Sequence, residues 1–548
     1  MINILEMTAR LNENSDPTQH QFNLGLIIYR IIKGVLEKRK HKQNLQNIIM
    51  EAGISIPPQL GEEFKEEPII VTNENGYQGV RSKITGLFIK SPNAKAKMSN
   101  IAFTPMFTEM VDIIHLGITI KIPVIFEGLP GQGKQTAIKY IADYLGFNVI
   151  NIIISRSTKV DDILGKLTIT RDENNNIHVK IIETKLVKAF KSNSEMSNTI
   201  IVFHNINNAS PAVLEVLASI FDHHQHDILL PDGNTISKGK MNIIGIFNPK
   251  NNLSNRDKLP NSLIYSSIYH IVNSPRNSDV LDFIKTLFSK TEFKKDAIVT
   301  FEYYKITKQY AAEINATPLS LNDLVNYILF RRASYGCIDH LLISQMIFAY
   351  RFIQQEFIQH VLSEMSIGNM SYNPQFILNL ANHQLLIKIS EESKKALEIP
   401  IKDITKINEM KIQEVLASLT IPQKHCMIFL ACSLLAKRTC ILQGSTASGK
   451  SFLIRLFAQM LGQKLVVYQM NSDTGMSILT GQSIISDSIT PQEDVKIDHI
   501  YTDLQTIPYF REYLENHFKR DKKHFSALLQ EIQKYNQEEL SQEQKKCL

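Results

Sequence analysis

The residues best suited to chemistry lie in two glycine loops, Gly128-Leu129-Pro130-Gly131-Gln132-Gly133-Lys134-Gln135-Thr136 and Gly444-Ser445-Thr446-Ala447-Ser448-Gly449-Lys450-Ser451. A phosphate chain carries several negative charges. Backbone N–H groups converging at a helix N-terminus form a receptor for it, and glycine lets the backbone wrap closely enough. A lysine at the end of such a loop reaches the terminal phosphates, and a hydroxyl on the next residue holds magnesium. The second loop has every part, from Gly444 through Gly449 and Lys450 to Ser451, so it is expected to bind ATP with Mg2+ on Ser451. The first keeps Gly128, Gly131, Gly133 and Lys134 but has Gln135 at the hydroxyl position. Thr136 cannot replace that hydroxyl, because one helical residue turns a side chain by about 100°. Metal binding there is expected to be weakened, while the backbone cradle and lysine for nucleotide remain.

Hydrolysis further needs carboxylates at the end of a neighbouring strand, one for the hydrated metal and one to polarise the attacking water. The suitable strand of the first unit, Thr199–Phe203, runs instead into His204 and Asn205. Imidazole is a poor ligand for a hard, oxygen-seeking ion, and an amide takes no proton from water. The first site is expected to be hydrolytically silent.

The elements that must position these loops form a repeat. Residues 125–168 and 441–484 superimpose without a gap at an offset of 316, with Ala142, Leu145, Gly146 and Gly165 recurring as Ala458, Leu461, Gly462 and Gly481. Such a repeat says more than one motif match. Short β-rich runs alternating with helical patterns predict an α/β parallel sheet with crossover helices, with strands at 122–127, 147–154, 199–203 and 241–247. A hairpin is expected at 228–236, turning at Asp232-Gly233. Residues 53–100 read as irregular connection, and helical periodicity dominates 276–416. The cycle restarts at 417 with a helix at 422–436, a strand at 439–443, the second loop, a helix from Phe452 to Met460 and a strand at 464–469. Residues 22–36 have a helical apolar stripe.

Composition limits the alternatives. With 60 basic and 54 acidic residues the formal charge is +6, too small an excess to demand a nucleic-acid or membrane partner. The run Lys38–Lys42 reads as a solvated face. Five cysteines without paired spacing fit a reducing compartment, nucleus or cytoplasm. The longest apolar run, Cys426 to Ala436, is short of the ~20 residues that span a bilayer. Asp222-His223-His224 with His226 reads as a solvated loop rather than a metal site.

These features together resemble the dynein-related branch of the AAA+ ATPases, most of all its midasin family. Phe203 to Glu215 matches the family's strand ending in Asp-Glu followed by Ile-Asn and Ala-Ser-Pro, with His204 and Asn205 on the two acids. Ile246-Phe247-Asn248-Pro249 resembles the sensor-one strand, which makes Asn248 the candidate for contact with the terminal phosphate. Leu259–Leu263 resembles the segment that offers an arginine finger, but Ile264–Tyr269 contains no arginine. Pro318–Leu324 resembles the lid segment, yet Asn322 stands where a sensor-two arginine is usual. The resemblance implies tandem P-loop modules, each an αβα core with a helical lid: a lid remnant at 1–60, a linker at 61–100, a degenerate core at 101–275, its lid at 276–416, and an unfinished second core at 417–548. It implies a piece of a longer mechanochemical ATPase with neighbouring modules in a ring, and a pre-ribosomal particle as partner in large-subunit assembly. The location would be nucleus, nucleolus or cytoplasm, with no membrane and no sequence-specific nucleic acid. A nucleotide-bound scaffold that does not hydrolyse, or a dynein motor or mysterin-like ubiquitin ligase, are the other readings.

Overall fold

A computed structural model describes residues 68–470 apart from 73–77, 83–86, 92, 94–100, 172–176, 192–197, 240, 250–258, 290–292, 318, 353, 366–371 and 391–394. The expected helix at 22–36, the lid remnant and residues 471–548 lie outside the described residues. The last residues of the second copy of the repeat, 471–484, lie there too.

Three short strands come first among the described residues, β1 (Ile69–Thr72), β2 (Gln78–Arg81) and β3 (Phe88–Lys90), paired antiparallel in that order. Helix α1 (Pro105–Ile120) follows, started by Thr104, whose hydroxyl accepts from the Phe107 N–H at 3.3 Å, and by Pro105 in the first turn. Then come β4 (Val124–Glu127), α2 (Lys134–Leu145), β5 (Asn148–Ile153) and α3 (Val160–Leu164). A hairpin of β6 (Lys166–Arg171) and β7 (Ile177–Ile182), absent from the sequence reading, precedes α4 (Lys185–Lys191). Next are β8 (Thr199–His204), α5 (Pro211–Phe221), the hairpin β9 (Asp227–Leu229) and β10 (Thr235–Ser237), β11 (Asn242–Phe247), α6 (Asn261–Tyr265) and β12 (Ile268–Ile271).

Strands β12-β4-β11-β8-β5 form one five-stranded parallel sheet in that order, flanked by helices on both faces. A parallel sheet is covered on both sides, so its strands are apolar throughout, and this is why they were legible as continuous runs. Val124, Phe126, Ile200, Val202, Ile244 and Ile246 pack with α1 and α2, while Ile125, Ile201, Phe203, Ile243 and Phe247 pack with α4 and α5 on the other face. Each such buried side chain contributes about 1.5–3 kcal/mol. The strand order separates β4 from β5 by two strands and brings the ends of β4, β11 and β8 side by side.

Five helices follow: α7 (Asn277–Phe288), α8 (Ala297–Glu313), α9 (Leu321–Ala333), α10 (His340–Ser344) and α11 (Gln355–Glu364). The helical reading of 276–416 then needs correction. A second antiparallel three-stranded sheet, β13 (Gln375–Asn379), β14 (Gln384–Lys388) and β15 (Leu397–Pro400), lies within it. The irregular reading of 53–100 fails for the same reason, since β1–β3 are there. Both sheets are built of three- to five-residue strands, too short for period-two alternation to stand out. After them come α12 (Glu409–Ser418), α13 (Ile421–Leu435) and α14 (Lys450–Met460).

The repeat therefore extends upstream of the loops. Thr104 and Thr420 begin α1 and α13 at the same offset of 316, and a three-stranded sheet precedes each. The Ser91 hydroxyl donates to the Leu145 carbonyl, and the Lys402 N–H donates to the equivalent Leu461 carbonyl at 2.9 Å. Downstream the copies differ: residues 439–443 and 464–469, expected as strands, form none. Ile441 is 87% exposed, whereas its counterpart Ile125 is completely buried.

His115 on α1 is fully buried, its Nε2 3.3 Å from the Val80 carbonyl of β2, and burial lowers its pKa from 6.5 to about 4. Below pH 6.5 the unfolded chain takes up a proton that the folded chain refuses. The stability present above 6.5 is therefore lost as pH falls towards 4, by about 3 kcal/mol at most. Urea midpoints should drop between pH 7 and pH 5, and His115→Gln should flatten that dependence.

Candidate functional site

The first loop turns from the C-terminal end of β4 into α2. Its entry is fixed by the Gly128 N–H, which donates to the Phe247 carbonyl at the end of β11 at 3.2 Å. A Cβ on Gly128 would meet Gln132 Oε1 at 2.3 Å, and Gly131, at φ +76°, presses on the start of α9, where a Cβ would meet Ser320 Cβ at 2.4 Å. Gly133, at φ +85°, is the N-terminal residue from which α2 starts, with no side-chain cap. Uncapped N–H groups of that first turn are the anion receptor.

Lys134 is buried, and its Nζ donates to the carbonyls of Gly128 and Leu129, the latter at 2.8 Å, and to Asn248 Oδ1 at 3.3 Å. The Asn248 carbonyl is held by Asn207 Nδ2 at 2.9 Å. The fold thus brings Gly128, Gly131, Gly133, Lys134 and Asn248 to one place. Gln135 and Thr136 follow on α2, both exposed.

Beside the loop, where the sequence pattern would place a metal hydroxyl, lies a neutral chain of three side chains. Gln135 Nε2 donates to His204 Nδ1 at 3.1 Å, and His204 Nε2 donates to Asn151 Oδ1 at 2.8 Å. Only an imidazole protonated at Nε2 alone can accept at one nitrogen while donating at the other. Burial, which lowers the His204 pKa, favours the same neutral form. Asn205 contributes a left-handed backbone, φ 56°, at the start of the turn Ile206–Asn208, and asparagine adopts that conformation more readily than most residues. Among the described residues no group of three or more His, Cys, Asp or Glu side chains is placed to hold a metal ion. Near the hairpin, His223 Nδ1 lies 3.2 Å from the Ser266 carbonyl.

The donor set decides what would fit. Backbone N–H groups and a lysine suit a phosphate chain, but an imidazole engaged on both nitrogens offers no ligand and Gln135 offers only a neutral amide oxygen in place of a hydroxyl, a poor set for Mg2+. The first site fits nucleotide and does not fit the metal.

In the second loop Lys450 Nζ donates to the carbonyls of Gly444 at 2.9 Å and Ser445 at 2.6 Å and to Ser448 Oγ at 3.1 Å. These two carbonyls are the counterparts of Gly128 and Leu129. Ala447 and Gly449 take positive φ, +65° and +82°, and Ser451 follows Lys450 at the start of α14. Thr446 lies at the exposed crown. This set fits both phosphate and magnesium.

Sequence reasoning missed Asn151, whose signal was a lone amide inside the apolar run Val149–Ile153, and Ser320, which gave none. Tyr269 of β12, in the segment without arginine, instead donates its hydroxyl to the Glu127 carboxylate. The Asn322 amide nitrogen would stand 3.6 Å from a Cβ on Gly131, so this residue of α9 does face the loop.

Residues 123–264 match the family of the AAA domain, dynein-related subfamily, so the chain carries a domain of that class over those residues. It is midasin-like: it is 24% identical over 388 residues to midasin of Giardia intestinalis, an alignment covering 66% of this chain. The aligned part spans 8% of that relative's length. A crystal structure of a Cytophaga hutchinsonii protein described as a candidate ATPase aligns at 12% identity with a TM-score of 0.24, over 62% of this chain and 95% of that one.

The contact of Gly131 with Ser320 makes a direct prediction. Gly131→Ala should destabilise the protein by about 1–3 kcal/mol, from positive φ and from displacing α9. Gly233→Ala, at φ +83° with nothing within 4 Å, should cost only the conformational part. Thermal melts of the two variants side by side would measure the difference.

Proposed function

We propose that this chain is part of a multi-module AAA+ mechanochemical ATPase in which the loop Gly444–Ser451 holds Mg-ATP and the loop Gly128–Thr136 holds nucleotide without metal and does not hydrolyse it. One observation carries the reading. Both lysines grip the same two carbonyls of their loops, but the residue that follows is a serine in one and a glutamine tied to His204 in the other. Lys450 and the loop N–H groups would bind the β- and γ-phosphates, and Ser451 Oγ would orient the hydrated metal, which supplies charge neutralisation on the phosphoryl oxygens. In the first site Lys134 and Asn248 would hold the terminal phosphate while His204 keeps the metal position closed.

The module boundaries that support this reading are a core at 101–275 with β1–β3 ahead of it, a lid of α7–α11, and a second unit that begins with β13–β15 rather than at 417. Modules of this kind would sit beside further modules in a ring. Likeness to midasin favours work on a pre-ribosomal particle in large-subunit assembly, in the nucleus, nucleolus or cytoplasm. A second reading, a nucleotide-stabilised scaffold, draws on the closed metal position of the first site.

Turnover separates the two readings: Lys450→Ala in the full-length protein should lower ATP hydrolysis, and unchanged turnover would remove this module as a source of it. Binding separates the two loops. A fluorescent ADP analogue should bind the Lys450→Ala chain equally well in magnesium and in EDTA, and should bind the Lys134→Ala chain at least tenfold more tightly with magnesium. His204→Asp combined with Gln135→Thr should make the first loop magnesium-sensitive.

A further inference from the structure

Asn322 leaves the start of α9 without the arginine that its position would provide, yet a guanidinium is close by. Arg351, from the segment after α10, has Nη1 3.6 Å from Asp323 Oδ2, and its Nη2 donates to the Thr317 carbonyl at 3.0 Å. Its side chain is 18% exposed, and that of Asp323 is 29% exposed. The same Asp323 oxygen accepts from the Ser320 N–H at 2.7 Å and from the Ser320 hydroxyl at 3.1 Å, closing the capping box of α9. Ser320 Oγ in turn would lie 2.7 Å from a Cβ on Gly131. A continuous line of contacts therefore runs from Arg351 through Asp323 and Ser320 to the first phosphate loop.

We propose that Arg351 is the cation this lid supplies to the first loop, a positioning residue that cancels the Asp323 charge and holds Ser320 over bound nucleotide in place of an arginine at 322. The inference rests on the reading that the first loop holds nucleotide. An uncompensated carboxylate at 323 would oppose phosphate binding at the loop. Asp323 puts a carboxylate one side chain away from a site built for a polyanion, and at that range an uncompensated unit charge weakens phosphate binding by about tenfold. Buried Tyr304 sits in the same field: burial, helped by Asp323 and opposed by Arg351, pushes its hydroxyl up to about 12.

The test uses the full chain carrying Lys450→Ala, so that only the first loop is read, with a fluorescent ADP analogue in EDTA and a melt of each variant without nucleotide. Arg351→Ala should weaken binding about tenfold. Adding Asp323→Asn or Asn322→Arg to it should restore affinity, which a purely structural role for Arg351 would not allow. If Arg351→Ala binds as tightly as its parent while Lys134→Ala abolishes binding, Arg351 has no such role. If rescue fails at both positions, the charge argument is wrong. If the parent with Arg351 in place does not bind the analogue, the nucleotide reading of the first loop falls, and this inference falls with it.

Discussion

An ammonium group held by the carbonyls of its own loop is the interaction on which this architecture turns. Lys134 is buried against Gly128, Leu129 and Asn248, and that one cation joins the end of β4, the start of α2 and the end of β11. The carbonyls turn towards the lysine, and the loop N–H groups are left to face a ligand. Such a loop can exist only where glycine permits the approach, at Gly128 against Gln132 and at Gly131 against Ser320. The five-stranded sheet serves this arrangement by bringing three strand ends into register beneath it.

The difference between the two loops is a matter of donor chemistry. Magnesium seeks hard oxygen ligands and keeps much of its water, so a hydroxyl and nearby carboxylates suit it. Gln135, His204 and Asn151 satisfy one another through two hydrogen bonds and remain neutral, which gives the first site stability where an active site would hold charge. Only His204 of the three is buried, and both of its ring nitrogens are engaged, so the buried member of the chain leaves no polar atom without a partner. The first unit thus places a neutral polar network beside its glycine loop.

The two copies also differ in what surrounds them. In the first, β4 lies between β12 and β11 and is buried. In the second, the segment ahead of Gly444 makes no ladder among the described residues, and α14 packs its Leu453, Leu456, Phe457 and Met460 into the apolar cluster shared with α7–α11. Helices can form on one packed face, because their backbone bonds are internal. A strand needs a neighbour, because its bonds are not.

The sequence by itself determined the two loops, the glutamine at 135 in place of a hydroxyl, the histidine and asparagine at the end of β8, and four of the five strands of the parallel sheet. Each of these depends on residue type at a fixed short spacing or on an unbroken apolar run. Tertiary structure alone decided the rest. It showed the small sheets β1–β3 and β13–β15, whose strands are too brief to announce themselves. It brought Asn151 to His204 across 53 residues and Ser320 to Gly131 across most of the domain. It left 439–443 without the pairing that its composition suggested. The physical reason is common to all three: a polar contact or a ladder bond is made with whatever lies adjacent in space, and local pattern carries no record of that neighbour.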